Sequence, residues 1–292
     1  MSALSDTIAT GSYMNVSSKV KKLVDLIKSE GIITKDLKPV TVVGKITTLA
    51  QQLFPEDKDK YFLQIVQEAY ISLLINRGID PIRARQSWVV ASGGDFEGYI
   101  RNHINQILNS EGIVAIKGDR LKQLGKKSLR IKELIRFLTL PAKRRCTQTS
   151  VDVWPDNDIL VLLKTQDDIW RILASISAKT SSHSRNTSVL FWSIAVSSLG
   201  IKYFLATQDR DNQFIKECTS NDVNQERKLF EAYCDRVFTS NPQANYCSQV
   251  KSLILRDDGS SELANELLEL KKQIVGKISH GETVSIEDLE NY

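Results

Sequence analysis

An aspartate and a lysine, Asp156 and Lys179, stand at the two ends of a stretch that reads as a β-hairpin. Pro155-Asp156-Asn157-Asp158 precedes the apolar run Ile159–Leu163, a polar segment follows to Asp168, and a second β-type run leads through Ile176 into Ser177-Ala178-Lys179. Two such runs around a short polar segment are the signature of a hairpin. With the turn centred between Asp167 and Asp168, antiparallel pairing sets Asp156 opposite Lys179. An acid beside an amine at the open end of a hairpin suits metal-dependent hydrolysis of a phosphodiester. Asp156 can hold Mg²⁺, which takes near-octahedral oxygen ligands and keeps several waters, and the backbone carbonyl of Ala178 can complete its coordination. The ion polarises a phosphoryl oxygen and lowers the pKa of a bound water, while Lys179 orients the nucleophile or stabilises developing charge. The plainer alternative is a strand entry at Asp156 and a surface lysine at Lys179.

Two further features bear on that choice. Gly93-Gly94-Asp95 reads as a helix start, with Asp95 as N-cap and Phe96, Ile100, Ile104, Ile107 and Leu108 facing the core. Glu97 then falls in the first turn, either complementing the helix dipole or pointing into a polar site. From Lys117 to Arg145 there are eleven lysines and arginines against two acids, Asp119 and Glu133, an excess larger than the whole chain's net +4. Leu129, Leu134, Phe137 and Leu138 recur at helical spacing there, so the run is either the solvated face of an amphipathic helix or a phosphate-facing surface that ends in Lys143, Arg144 and Arg145.

The remaining elements read as scaffold. Helices are expected over Ser18–Gly31, Lys45–Phe54 and Asp59–Asn76, and after the hairpin over Ser184–Ser198. A strand follows at Ile201–Ala206. Asn221 is a candidate N-cap for a helix to Cys234, Ser260 or Ser261 caps Glu262–Ile278, and Gly281–Tyr292 is an acidic tail. The 292 residues, 41% hydrophobic and 25% charged, describe an ordinary globular chain, divided as a helical region over 1–90 and an α/β core over 91–292 that form one continuous domain. A pI near 8.7 permits a polyanionic partner without requiring one. Cys146, Cys218, Cys234 and Cys247 lack the paired short spacing of a zinc site or disulfide framework and read as reduced thiols of a cytoplasmic protein. Met1–Asn15 lacks the pattern of a signal peptide, and no run has the length of a membrane span.

Pro155-Asp156, a spacer of hairpin length, and Ser177-Ala178-Lys179 resemble the active-site motif of the PD-(D/E)XK nucleases, in the branch of type II restriction endonucleases where serine replaces the acid two places before the lysine. Gly94-Asp95-Phe96-Glu97 is similar to the glutamate-bearing helix that precedes the hairpin in that superfamily. The resemblance implies a mixed central β-sheet flanked by helices, Mg²⁺-dependent cleavage of double-stranded DNA, and a homodimer or higher homo-oligomer. It implies Asp156, Lys179 and Glu97 as catalytic residues; with serine in place of the second acid, either Asp158 and Glu97 complete a metal site with Asp156 and the Ala178 carbonyl, or the metal is held weakly, or activity is lost. Two departures stand out. The positions matching the replacement acid on the following helix are Trp192 and Ser193, and no acid occurs between Lys179 and Asp209. The positions matching an Arg-acid-Arg recognition triplet are His183-Ser184-Arg185, of which Arg185 retains the guanidinium fork that suits guanine. A DNA-binding protein without catalysis and a repair or structure-selective nuclease on the same fold are the alternatives.

Overall fold

Most of the strands that follow Leu108 carry apolar residues on both faces, and these must be covered on both sides. The computed structural model describes residues 17–31, 39–54, 62–165, 169–181, 186–241, 243–253 and 261–275, with Glu287 and Leu289. The chain divides into two compact units, Met1–Asp95 and Phe96–Tyr292. In the first, a helix over 17–29 (α1), α2 (Pro39–Leu53), α3 (Phe62–Ile75) and the start of α4 (Pro81–Leu108) enclose a core that includes Leu23, Ile46, Ile65 and Trp88.

The second unit is built on a mixed six-stranded sheet. After a single 3-10 turn come β1 (Ile113–Lys117), α5 (Gly118–Leu124), α6 (Leu129–Leu138), β2 (Leu140–Lys143), β3 (Ser150–Val153), β4 (Ile159–Lys164) and β5 (Trp170–Lys179). They are followed by α7 (Asn186–Ser197), β6 (Lys202–Thr207), α8 (Gln225–Tyr233), β7 (Arg236–Thr239), β8 (Val250–Ser252) and α9 (Glu262–Val275). The large sheet has the order β1-β4-β5-β6-β7-β8, antiparallel from β1 to β5 and parallel from β5 to β8. Alternate residues point to opposite faces of a strand, and two cores result. Leu160, Leu162, Tyr203, Leu205 and Val237 pack with residues of α5 to α8, whereas Ile159, Val161, Phe204, Ala206 and Phe238 pack with α4 and α9. This is the mixed α/β sheet flanked by helices that the resemblance implies.

The hairpin forms as β4 and β5, with Ile159 opposite Ile176 and Leu160 opposite Ser175, the register expected at its open end. A bulge between Val161 and Leu162 shifts the closed half by one residue. It leaves Leu173 and Ala174 in the same core, as an extra residue in one strand requires. The turn at Asp167 and Asp168 lies outside the described residues.

Three local expectations are corrected. Helix α4 passes through Gly93 and Gly94 unbroken, so Asp95 starts no helix and Glu97 is not in a first turn. The helix begins at Pro81, where Asp80 Oδ1 accepts the amides of Ile82 and Arg83, an N-cap followed by proline at the first helical position. Glycine costs about 1 kcal/mol in a helix interior, and burial of Phe96, Ile100 and Ile104 offsets it. Helix α8 is capped by Asn224 rather than Asn221, its side chain accepting from Arg227 N. The basic stretch is also not one helical face. Lys117 ends β1, the middle forms α5 and α6, and Lys143 opens the tip of a separate two-stranded ribbon, β2–β3. Ser261 caps α9 as expected, accepting from Ala264 N.

The thiols are corrected as well. Cys218 and Cys247 form a disulfide across a separation of 29 residues, while Cys146 and Cys234 are free. Only the fold reveals the pair, because its two cysteines lie on separate loops, joined also where Asn245 N donates to Phe214 O. Among the described residues no helix is long and apolar enough to cross a membrane. Alkylation of the denatured, unreduced protein should therefore label two thiols and reduction should release two more. Reduction should also lower unfolding free energy by about 3.6 kcal/mol, the loop-closure value for a separation of 29 residues, measurable by denaturant titration with and without reductant.

Candidate active site

Strand β5 extends past the last pairing with β4, and its final residues Ser177, Ala178 and Lys179 are held on the other side by β6, where Lys179 pairs with Thr207. Lys179 is buried, and a buried ammonium needs an anionic partner. The structure supplies Asp158. One carboxylate oxygen, Oδ2, accepts from Lys179 Nζ at 2.6 Å, from the Ala178 amide at 2.8 Å and from Ser177 Oγ at 3.2 Å. Asp156 is exposed, so the lysine is brought to Asp158, two residues further along the Pro155–Asp158 segment. Removing one partner of a buried pair typically costs about 3–5 kcal/mol, because the other charge is left uncompensated.

The segment that carries Asp158 is clamped from both sides. Asn157 is buried, and its side-chain oxygen accepts from Ser175 Oγ of β5 at 2.6 Å. On the opposite side, β1 pairs with β4 so that Lys117 faces Ile159, and the next residue, Gly118, donates its amide to Asp158 O at 3.4 Å. A Cβ on Gly118 would lie 2.2 Å from the carbonyl oxygen of Asn157. Only glycine permits that approach of two backbones.

Glu97 reaches the same region from α4. Its carboxylate lies 3.4 Å from Lys117 Nζ and 3.5 Å from Arg101 Nη1. Burial raises its pKa above the ordinary glutamate value, opposed by Lys117 and reinforced by the negative charge of Asp158. Two carboxylates thus share a site ringed by Lys117, Arg101 and Lys179. Beneath them Tyr203 is buried and hydrogen-bonded with Ser177. Burial pushes its phenol far above the usual value, and the charges of Asp158 and Asp156 add to the shift.

The expected residues are therefore distributed as follows. Glu97, Asp158, Ala178 and Lys179 are drawn together, Asp156 stands exposed beside them, and Lys143, Arg144 and Arg145 occupy the exposed end of the ribbon. His183, Ser184 and Arg185 lie outside the described residues. Ser193, where the replacement acid would stand, is buried and donates to Tyr233 O. Sequence reasoning passed over Gly118, Asn157 and Ser175. The alternation Ser175-x-Ser177-x-Lys179, which sets all three on one side of β5, was the legible signal.

Carboxylate oxygens beside a buried amine are the groups with which proteins hold a hard divalent cation and position water at a phosphoryl centre. Residues 143–258 match the family described as BsaWI restriction endonuclease type 2. A curated protein of Methanocaldococcus jannaschii named "Putative type II restriction enzyme MjaVIP" is 24% identical over 198 residues, which cover 64% of this chain and 80% of that protein. Among solved structures, restriction endonuclease AgeI in a specific complex with DNA superposes with a TM-score of 0.55 at 17% identity, over 88% of this chain and 91% of that one. BsaWI in a pre-specific DNA complex gives a TM-score of 0.41 at 16% identity, over 88% and 89% of the two chains. The fold is that of type II restriction endonucleases.

Three substitutions test this geometry. Gly118→Ala should destabilise by about 1–3 kcal/mol, the usual result of forcing volume into a packed site, because the clashing atom is backbone. Gly125→Ala, whose Cβ would clash with the terminal Cδ1 of Ile135, at 2.1 Å the end of a flexible side chain, should cost less than half of that in the same denaturant titration. Glu97→Gln should raise the thermal midpoint at pH 8. A raised folded pKa means that the charged form is disfavoured in the native state, so the wild-type penalty is full above the folded pKa and vanishes below the unfolded one. The gain of the glutamine variant should therefore shrink as pH falls through the carboxylate range, which melts from pH 8 to pH 4 will show.

Proposed function

We propose that this chain is a type II restriction endonuclease that hydrolyses phosphodiester bonds of double-stranded DNA with Mg²⁺, and that Asp158, rather than Asp156, is its principal metal ligand. The observation that carries this reading is the convergence of Lys179, the Ala178 amide and Ser177 on one oxygen of Asp158. An acid and an amine in contact at the end of a hairpin are what the chemistry needs. The family match and the AgeI-like fold support the reaction class.

The donor set fits a hard cation. Asp158 and Glu97 are close enough for one to raise the pKa of the other, and their oxygens, with the carbonyl of Ala178, are ligands that Mg²⁺ prefers. A bound Mg²⁺ would supply Lewis-acid activation of a phosphoryl oxygen and of water. The chain's own residues do the rest. Lys179 holds its ammonium where the nucleophile and the scissile phosphate meet and offsets charge on the pentacovalent centre. Lys117 and Arg101 balance Glu97, and Gly118 and Ser175 hold the acid in register. Exposed Asp156 would serve a bound cation as an outer carboxylate. We propose that the enzyme acts as a homodimer or higher homo-oligomer.

A second reading is a sequence-specific DNA-binding protein without catalysis. It is favoured by Ser177 standing where an acid is usual and by Trp192 and Ser193 where its replacement would be. A repair nuclease on this fold would leave nicked or structure-dependent products instead of discrete fragments. Digestion of phage DNA in Mg²⁺ separates the three. Wild type should give discrete fragments, and Lys179→Ala and Asp158→Asn should lose at least ~100-fold in rate, the effect of removing one transition-state stabiliser, while still binding duplex. Asp156→Ala should lose less. Discrete cutting by Asp158→Asn together with loss of cutting in Asp156→Ala would return the ligand role to Asp156, and salt-dependent binding with no cutting by wild type would establish the non-catalytic reading.

A further inference from the structure

We infer that the β2–β3 ribbon enters the major groove of duplex DNA and reads bases through Arg144 and Arg145. This rests on the nuclease reading for the identity of the ligand and adds the element that would choose the sequence. The ribbon is a sheet of its own, with Leu140 opposite Val153 and Lys143 opposite Ser150, and no strand of the large sheet pairs with it. Apart from half-buried Leu140 and Val153 at its base, every residue of the two strands is exposed. Two-stranded ribbons are marginally stable alone in water, so an ordered, uncovered one is a candidate for a partner's surface.

Its tip is a built turn. Arg144 N donates to Thr149 O at 2.9 Å, Gln148 takes a left-handed φ of 55° and donates its side-chain amide to Arg145 O at 2.7 Å, and the hydroxyls of Thr147 and Thr149 bond at 2.6 Å. These polar groups hold the turn, and Arg144 and Arg145 stand exposed on it beside Lys143. Between residues 140 and 153 the one acid is Asp152, so the tip is strongly positive and suits a polyanion.

Size and chemistry favour a groove over phosphate contact alone. A two-stranded ribbon fits the major groove, about 12 Å wide and 8.5 Å deep, and four residues of strand span about 13 Å. An arginine fork forms two hydrogen bonds with guanine O6 and N7. One side of the ribbon carries Leu140, Ala142, Val151 and Val153, suited to thymine methyls, and the other carries Lys143, Ser150 and Asp152. The ribbon is joined to the reacting centre by Trp154 to Asn157 alone, so a ribbon seated in the groove sets where Asp158 meets the backbone.

The test is selection from duplexes with a randomised centre, comparing wild type, Arg144→Ala/Arg145→Ala and Arg145→Lys. Wild type should enrich a motif. The double variant should lose roughly 10- to 100-fold in preference at one or two G·C positions of it, while keeping low-salt binding to unrelated duplex with a shallower salt dependence. Arg145→Lys keeps the charge without the fork and should lose preference with little loss of non-specific affinity, which also shows that the protein is folded. Enrichment of the same motif by all three, or of none by wild type, overturns the inference. A wild type that selects a motif read by the arginines yet does not cut in Mg²⁺ overturns the nuclease reading and leaves this one standing.

Discussion

The buried ammonium of Lys179 constrains everything around it. It sits at the end of the central strand β5, where little water reaches it, and must be neutralised by an acid arriving from the neighbouring strand. Asp158 can do so because β4 begins one residue later, and because the Ala178 amide and Ser177 hydroxyl donate to the same oxygen as the lysine. The antiparallel register of β4 with β5 permits that meeting. So does the register of β1 with β4, which brings Gly118 against Asn157 at a distance no side chain would tolerate.

The two halves of the sheet divide the work. The antiparallel strands β1, β4 and β5 bring three segments distant in sequence to one end of the sheet. The parallel strands β6 and β7 secure that end from the other side, with Gln208 N donating to Lys179 O and Ser240 N to Thr207 O. Around this frame the charges are not in balance for stability. Burial raises the pKa of Glu97, with Lys117 opposing the shift and the charge of Asp158 adding to it.

Much of this was legible in the residues. The hairpin, its register at the open end, the strand at 202–207 and the capping of α9 follow from period-two apolar runs and capping chemistry, which are local signals. The helical start at Asp95 was misread for the same reason. A glycine pair beside an acid is a good local cue, but the packing of Phe96 and Ile100 on the sheet outweighs it. Strand β1 was missed because four buried apolar residues can belong to either kind of element. With it went Gly118, whose meaning exists only opposite Asn157. The disulfide was hidden because its cysteines meet through the return of two loops.

The sequence by itself determined the chemistry available here: acids and an amine at the ends of a hairpin, a glutamate upstream and a basic stretch between them. It also determined the class of fold, because strands apolar on both faces must be sandwiched between helices. Only the tertiary structure decided which acid meets the amine. Asp156 and Asp158 lie two residues apart and are chemically the same, and side-chain direction at a strand entry depends on the neighbours that clamp it. Gly118 on one side and Ser175 on the other turn Asp158, not Asp156, toward Lys179. The basic stretch was likewise divided by packing, since Ile131 and Leu138 found a core for α6 while Lys143, Arg144 and Arg145 had none and were left on a ribbon in water.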